Sequence, residues 1–135
     1  KYGEFTLNIP CQEILNKVEI AGFHSGQNKI GMADITYDLG EKVDAPLLDE
    51  CLLNIECRVD HIVEHGDYTN FTATIERRVI CDEMLNEDGS LNSRDFNPIY
   101  FMGDDKERIY RYFNSDTKKL GENMGCSAED DSICG

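Results

Sequence analysis

Hydrophobic and polar residues alternate most strictly between residues 51 and 63. Cys51, Leu53, Ile55, Cys57, Val59, His61 and Val63 take the odd positions. Leu52, Asn54, Glu56, Arg58, Asp60 and Ile62 take the even ones, and four of those six are polar. A period of two sends successive side chains to opposite faces, so the pattern predicts a long strand with its odd face buried. The turn residues His65-Gly66-Asp67 follow. A second strand is predicted from Tyr68 to Cys81, with Thr69, Phe71, Ala73, Ile75, Val79 and Cys81 again odd. Arg77 interrupts that face, and a bulge or an exposed strand end is expected there. Together the two strands read as one antiparallel hairpin whose odd residues, Ile55 and Phe71 among them, face a barrel interior.

Parity constrains the turn. Antiparallel partners on the odd face have numbers that sum to an even value. A plain two-residue turn at Gly66-Asp67 pairs His65 with Tyr68, an odd sum, and carries one apolar face outward. The expectation is therefore a three-residue loop or a bulge within the hairpin, with Gly66 the natural bulge residue.

Upstream, Phe5, Leu7 and Ile9 alternate with Thr6 and Asn8 as a short strand ended by Pro10, a residue suited to a helix's first turn. Ile14, Leu15, Val18 and Ala21 then recur at helical spacing, with Gly22 expected as the C-terminal cap. Residues 25–46 read as a long loop with one short helical turn. Asn86-Glu87-Asp88-Gly89 reads as a turn, residues 93–100 as irregular around Pro98, and 108–113 as a strand. Residues 121–135 carry Glu122, Glu129, Asp130 and Asp131 without a basic residue and read as solvated. Residues 1–125 are expected to form one domain and 126–135 an acidic tail. The inventory is mainly β: an antiparallel barrel or sandwich with one or two short helices.

Composition narrows the function. The 135 residues hold 27 Asp and Glu against 13 Lys and Arg, a formal net charge of −14. Such a balance repels phosphate backbones and anionic lipid, which argues against nucleic-acid and membrane-surface binding. No apolar run reaches the length of a membrane span. The six cysteines (Cys11, Cys51, Cys57, Cys81, Cys126 and Cys134) contain no Cys-x-x-Cys pair. Cys51 and Cys57, six residues apart on one strand, lie roughly 20 Å from each other, beyond disulfide reach. Free thiols are expected at Cys51, Cys57 and Cys81, and the cytoplasm is the expected compartment. Asn70-Phe71-Thr72 matches a glycosylation sequon but falls inside a predicted strand.

Catalytic motifs are scarce. Glycine-rich phosphate loops and a nucleophile elbow are absent. His61 and His65, four residues apart on a strand, stand about 13 Å from each other, too far to share a metal ion.

An ordered series of segments carries the reading further. Phe5-Thr6-Leu7-Asn8-Ile9-Pro10, a short helix and Ala21-Gly22-Phe23-His24-Ser25-Gly26 resemble the flavin reductase-like family, flavoredoxins included. Ala45-Pro46-Leu47-Leu48, the strand Asn54–Val59, Gly66-Asp67-Tyr68, Asp82-Glu83, Pro98-Ile99-Tyr100 and Tyr110-Arg111-Tyr112 follow in the family's order. The resemblance covers roughly residues 1–125. It implies an FMN-binding split β-barrel, usually a homodimer, with non-covalent flavin near the subunit interface. It implies a flavin reductase or flavoredoxin that passes hydride or electrons, with NAD(P)H as a reductant and a small-molecule or protein electron donor or acceptor. Asn8, Ile9, Pro10, His24, Ser25, Gly26 and Lys29 are the implied cofactor-binding residues. No metal is implied, and no catalytic acid or base is assigned, because the flavin does the chemistry.

Each of these residues also has a bland reading. Asn8-Ile9-Pro10 serves equally as a strand-to-helix junction, Ser25-Gly26 as a turn and Lys29 as a solvated side chain. Tyr68 replaces the family's frequent histidine, and Lys29 matches its loop lysine only approximately. Two other functions fit the same composition: a non-enzymatic flavin electron carrier, and an acidic β-barrel binding module without flavin. The family's strands before Phe5 are absent from the sequence, so about three further strands are expected ahead of Lys1. Without them, an uncovered odd face is expected to drive aggregation or weaken FMN binding.

Overall fold

The computed structural model describes residues 3–25, 28–103, 107–113 and 116. In chain order the elements are β1 (Glu4–Pro10), a 3-10 turn (Gln12–Ile14), α1 (Leu15–Phe23), α2 (Lys29–Met32), β2 (Tyr37–Leu39), β3 (Pro46–Leu48), β4 (Cys51–His65), β5 (Tyr68–Ile80), a second 3-10 turn (Asp82–Met84), β6 (Tyr100–Gly103) and β7 (Arg108–Arg111). The main sheet has the order β1-β4-β5, and β2-β3 and β6-β7 form separate two-stranded pairs. All pairings are antiparallel. The chain is mainly β with short helices, as the alternation predicts. Gly26, Cys126, Cys134 and the acidic tail lie outside the described residues.

Several local expectations change. Pro10 closes β1 rather than opening a helix, and Gly22 lies inside the last turn of α1. The chain leaves α1 at His24 in an extended conformation, so no left-handed glycine is needed there. The long loop contains α2, β2 and the start of β3, and Asn28 caps α2 by accepting from the Gly31 N–H at 3.2 Å. At the Asn86–Gly89 turn, Gly89 takes a φ of +80°.

The β4–β5 turn is the two-residue one, with Gly66 at φ +59° and His65 paired to Tyr68. The parity conflict is resolved elsewhere, by two bulges. Asp60 is the extra residue on β4, and Val59↔Ala73 through Cys57↔Ile75 then pair odd with odd. Glu76 is the extra residue on β5, which restores Glu56↔Arg77. The bulge expected at Arg77 is thus present one residue earlier. It turns Arg77 away from the apolar face.

The apolar face is the shared one, but it is not the covered one. Phe5, Val59, Ile62 and Phe71 line a common hollow on it. Phe71 is nevertheless 58% exposed and Leu7 48%. The expected interior position of Phe71 is therefore not observed among the described residues, and Ile55 is only half-buried. Instead, the segment from Gly40 to Leu48 docks on the opposite, polar face, because hydrogen-bonding groups there recruit its backbone. Thr6 Oγ1 donates to the Pro46 carbonyl at 2.6 Å, and Asn54 Nδ2 to the Leu48 carbonyl at 3.1 Å. Cys57 and Cys51 are buried, as expected of inward thiols, whereas Cys81 is exposed; all three, with Cys11, are free.

Glu56 anchors this docking. Its side chain is fully buried. Oε2 accepts from the N–H groups of Lys42 at 2.6 Å and Val43 at 3.1 Å, and Oε1 from Arg77 Nη1 at 3.0 Å. Arg77 Nη2 reaches Glu41 at 2.9 Å. Burial alone pushes the Glu56 carboxyl upward, but the Lys42 N–H, the Arg77 guanidinium and the Val43 N–H outweigh it and hold it below the usual glutamate range. Gly40 permits this approach: a Cβ there would stand 2.6 Å from the Val43 carbonyl oxygen and 2.7 Å from Glu56 Oε2.

Two outcomes follow from this arrangement. Arg77→Ala strands a buried carboxylate and is expected to cost about 3 kcal/mol in urea unfolding, whereas Gly40→Ala is expected to cost about 1–3 kcal/mol through overpacking. With its folded carboxyl depressed, Glu56 adds stability above the unfolded pKa, and that stability is lost as pH falls through the folded value. Glu56→Gln is therefore expected to be less stable at neutral pH and to lose less stability on acidification. Equal acid sensitivity in both proteins would contradict this linkage.

Candidate functional site

The residues singled out by resemblance fall into two groups. Asn8, Ile9 and Pro10 end β1 beside the first residues of β4, with Asn8 paired to Asn54, Ile9 to Leu53 and Pro10 to Cys51. The Asn8 carboxamide is engaged at both ends. Nδ2 donates to Thr6 Oγ1 at 3.2 Å and to the Pro46 carbonyl at 3.3 Å, and Oδ1 accepts from the Leu48 N–H at 3.2 Å. Beside it, buried Asn54 keeps an acceptor, Oδ1, with no partner among the described residues.

His24, Ser25 and Lys29 form the second group, between α1 and α2. His24 Nδ1 donates to the Ile20 carbonyl at 2.9 Å, satisfying one of the acceptors that a helix end leaves open. Ser25 follows it and is exposed. Lys29 opens α2, is half-buried, and joins no ion pair among the described residues. No hydrogen bond or ion pair among the described residues joins His24, Ser25 or Lys29 to the Asn8–Pro10 group.

Sequence reasoning passed over the residues that hold this segment in place. Lys17 Nζ donates to the Asp34 carbonyl at 2.7 Å and pairs with Glu50 at 2.7 Å, tying α1 both to the end of α2 and to the start of β4. Asp34 takes a φ of +49°, a conformation that Asp tolerates better than most residues. Neither contact leaves a local sequence signature. Among the described residues no group of three or more His, Cys, Asp or Glu is placed to hold a metal ion. His61 and His65 both lie exposed along the β4–β5 ribbon. Among the described residues no helix is long and apolar enough to cross a membrane.

Residues 1–118 match the family described as the flavin reductase like domain. The chain belongs to the flavin reductase-like family. The fold agrees. Flavoredoxin of Desulfovibrio vulgaris (Miyazaki F) superposes with a TM-score of 0.77 at 29% identity, covering 88% of this chain and 63% of that one. Flavoredoxin from Methanosarcina acetivorans gives 0.78 at 24% identity, over 91% and 66%. An FMN-binding protein from Thermus thermophilus gives 0.64 at 18% identity, covering 84% of this chain and 60% of that one. These likenesses identify the split-barrel architecture, of which the described sheets form an unclosed part. By sequence, a Pyrococcus abyssi protein of unassigned function is 39% identical over 75 residues, 56% of this chain and 44% of its own length. This flavin reductase-like chain spans about half the length of the curated relatives it matches.

In this domain the His24 contact predicts a measurable effect. His24→Ala leaves the Ile20 carbonyl without its side-chain donor and is expected to cost about 0.5–1.5 kcal/mol. The loss should appear in thermal unfolding and as faster amide exchange in the last turn of α1. An unchanged exchange pattern would mean that the bond does not hold the helix end.

Proposed function

We propose that this chain is the flavin-holding part of an FMN-dependent redox protein of the flavin reductase or flavoredoxin type. The observation that carries the proposal is the family match across residues 1–118, supported by the fold shared with a flavoredoxin at 29% identity. The residues present fit such a group in their chemistry. The pyrimidine edge of a flavin carries an N–H donor beside its carbonyl acceptors, and Asn54 Oδ1 is a buried acceptor with no partner among the described residues. The phosphate calls for a cation, and in a chain of net charge −14 Lys29 joins no ion pair among the described residues.

The chemistry a bound FMN would supply is transfer of hydride from a reduced nicotinamide or of electrons from a protein donor. The protein's share is placement. Lys29 would balance phosphate charge and Ser25 would offer its hydroxyl and backbone N–H; Gly26, which the resemblance adds to them, lies outside the described residues. His24 fixes the loop that presents them. Asn8, Ile9 and Pro10 set where β1 ends and so where the turn leading into α1 begins. The open apolar face carrying Leu7 and Phe71 favours a homodimer or further strands of the same polypeptide as its cover. The four free thiols among the described residues favour a reducing compartment, the cytoplasm.

Titration with FMN, followed by flavin fluorescence, tests this reading. Binding is expected to quench the fluorescence. Lys29→Glu is expected to weaken FMN about tenfold while leaving riboflavin, which lacks the phosphate, nearly unaffected. Absence of any flavin binding would end the proposal. NAD(P)H consumption with free flavin or oxygen as acceptor then separates a reductase from an electron carrier.

A further inference from the structure

Three cysteines gather at one end of the main sheet. β1 ends next to Cys11, β4 begins at Cys51 and β5 ends next to Cys81, and the order β1-β4-β5 sets these ends side by side. All three line a single groove, together with the carboxylates of Glu13, Glu50 and Glu83. Cys11 and Cys51 are the closer match to a redox pair. The ladder pairs Pro10 with Cys51, and Cys11 Sγ donates to the Glu50 carbonyl at 3.6 Å. The two cysteines therefore lie on neighbouring segments, one residue out of register. On a regular ladder, strands about 4.8 Å apart and one residue out of register bring two Cα atoms within the span of a disulfide; here a register shift between Ile9 and Pro10 falls at this step, and the two thiols line the same groove. Cys81 is bonded one step further along, its N–H donating to the Leu52 carbonyl at 3.1 Å.

We propose that Cys11 and Cys51 form a dithiol–disulfide couple, oxidised by small-molecule disulfides, that closes the base of the segment from Cys11 to Cys51. Cys11, the less buried of the two, loses its proton and attacks one sulfur of the small disulfide. A mixed disulfide forms and one small thiolate leaves. Cys51 then deprotonates and attacks the Cys11 sulfur, forming the Cys11–Cys51 bond and expelling the second thiolate. The two cysteine protons end on the two released thiols. The protein gives up two electrons and the small disulfide takes them.

Burial, followed by the neighbouring Cys11 and Glu50, pushes the Cys51 thiol up to about 11, and burial raises Cys11 as well. Thiolate is scarce at neutral pH, so the exchange is slow there and accelerates as pH rises. The closed segment holds α1, α2, His24, Ser25 and Lys29. Oxidation thus ties together the two ends of the segment that contains the residues offered above for the flavin, although the couple itself does not depend on flavin binding.

The test is to incubate the full chain with oxidised glutathione at mildly alkaline pH, quench in acid and map the peptides by mass spectrometry. The expected product is a linked Cys11–Cys51 peptide pair lighter by two hydrogens, present in the wild type and in Cys81→Ser. It is expected to be absent in Cys11→Ser and Cys51→Ser, which should instead retain a glutathione adduct on the remaining thiol. A Cys51–Cys81 link, a link from Cys11 to Cys126 or Cys134, or a lasting adduct on Cys11 of the wild type would each overturn the proposal. The wild-type map decides the matter even if a serine variant fails to fold.

Discussion

A carboxylate sealed from water sets the terms for one whole side of this fold. Glu56 has no access to solvent, so every lone pair it uses must be met by protein. Two backbone N–H groups from the Lys42–Val43 turn and one arm of Arg77 meet that need. The requirement propagates outward. The turn must come close, so position 40 has to lack a side chain. Arg77 must face the same way as Glu56, so β5 has to spend an extra residue at Glu76. The docked segment then brings Pro46 and Leu48 within reach of Thr6, Asn8 and Asn54. Polar contacts position β3 against the sheet, and Val43 and Leu47 of the docked segment are buried with it.

That hierarchy explains what could and could not be read from the chain. Alternation located β1, β4 and β5, because a half-exposed strand writes its period into local sequence. Parity called for a three-residue loop or a bulge, with Gly66 its natural residue; the turn has two residues and the bulges fall at Asp60 and at Glu76, beside Arg77. The error lay in which face becomes covered. A binary pattern assigns Glu56 and Asn54 to solvent, and partners in the 40–48 segment, joined by Arg77 for Glu56, reverse that assignment. Such partners are specific in space but leave nothing periodic behind. β2, α2 and β6 are too short to carry a period of their own, which is why residues 25–46 read as a long loop with one short helical turn and residues 93–100 as irregular.

The candidate site was legible in a different way. Ser25 and Lys29 came forward through an ordered likeness to a family, and the structure places them on a segment anchored by Lys17 and His24. The Asn8 amide, chosen by the same likeness, is already committed to β3. Its ladder partner Asn54 holds the buried acceptor that has no partner among the described residues. A resemblance transmits positions in a chain. It does not transmit which of two adjacent amides has a free lone pair.

The paired irregularities of the β4–β5 ribbon limit how this hairpin can vary. One surplus residue sits on each strand, and the second cancels the offset introduced by the first, so the tip and the base share one register. Only the short stretch between them, Cys57–Val59 against Ala73–Ile75, runs in the alternative register. Losing either surplus residue alone would turn over one side of the ribbon beyond that point and expose a different set of side chains. Losing both would restore the alignment at base and tip. Changes in length along this ribbon are therefore tolerable in compensating pairs, one per strand, while single insertions or deletions within it exchange its two surfaces.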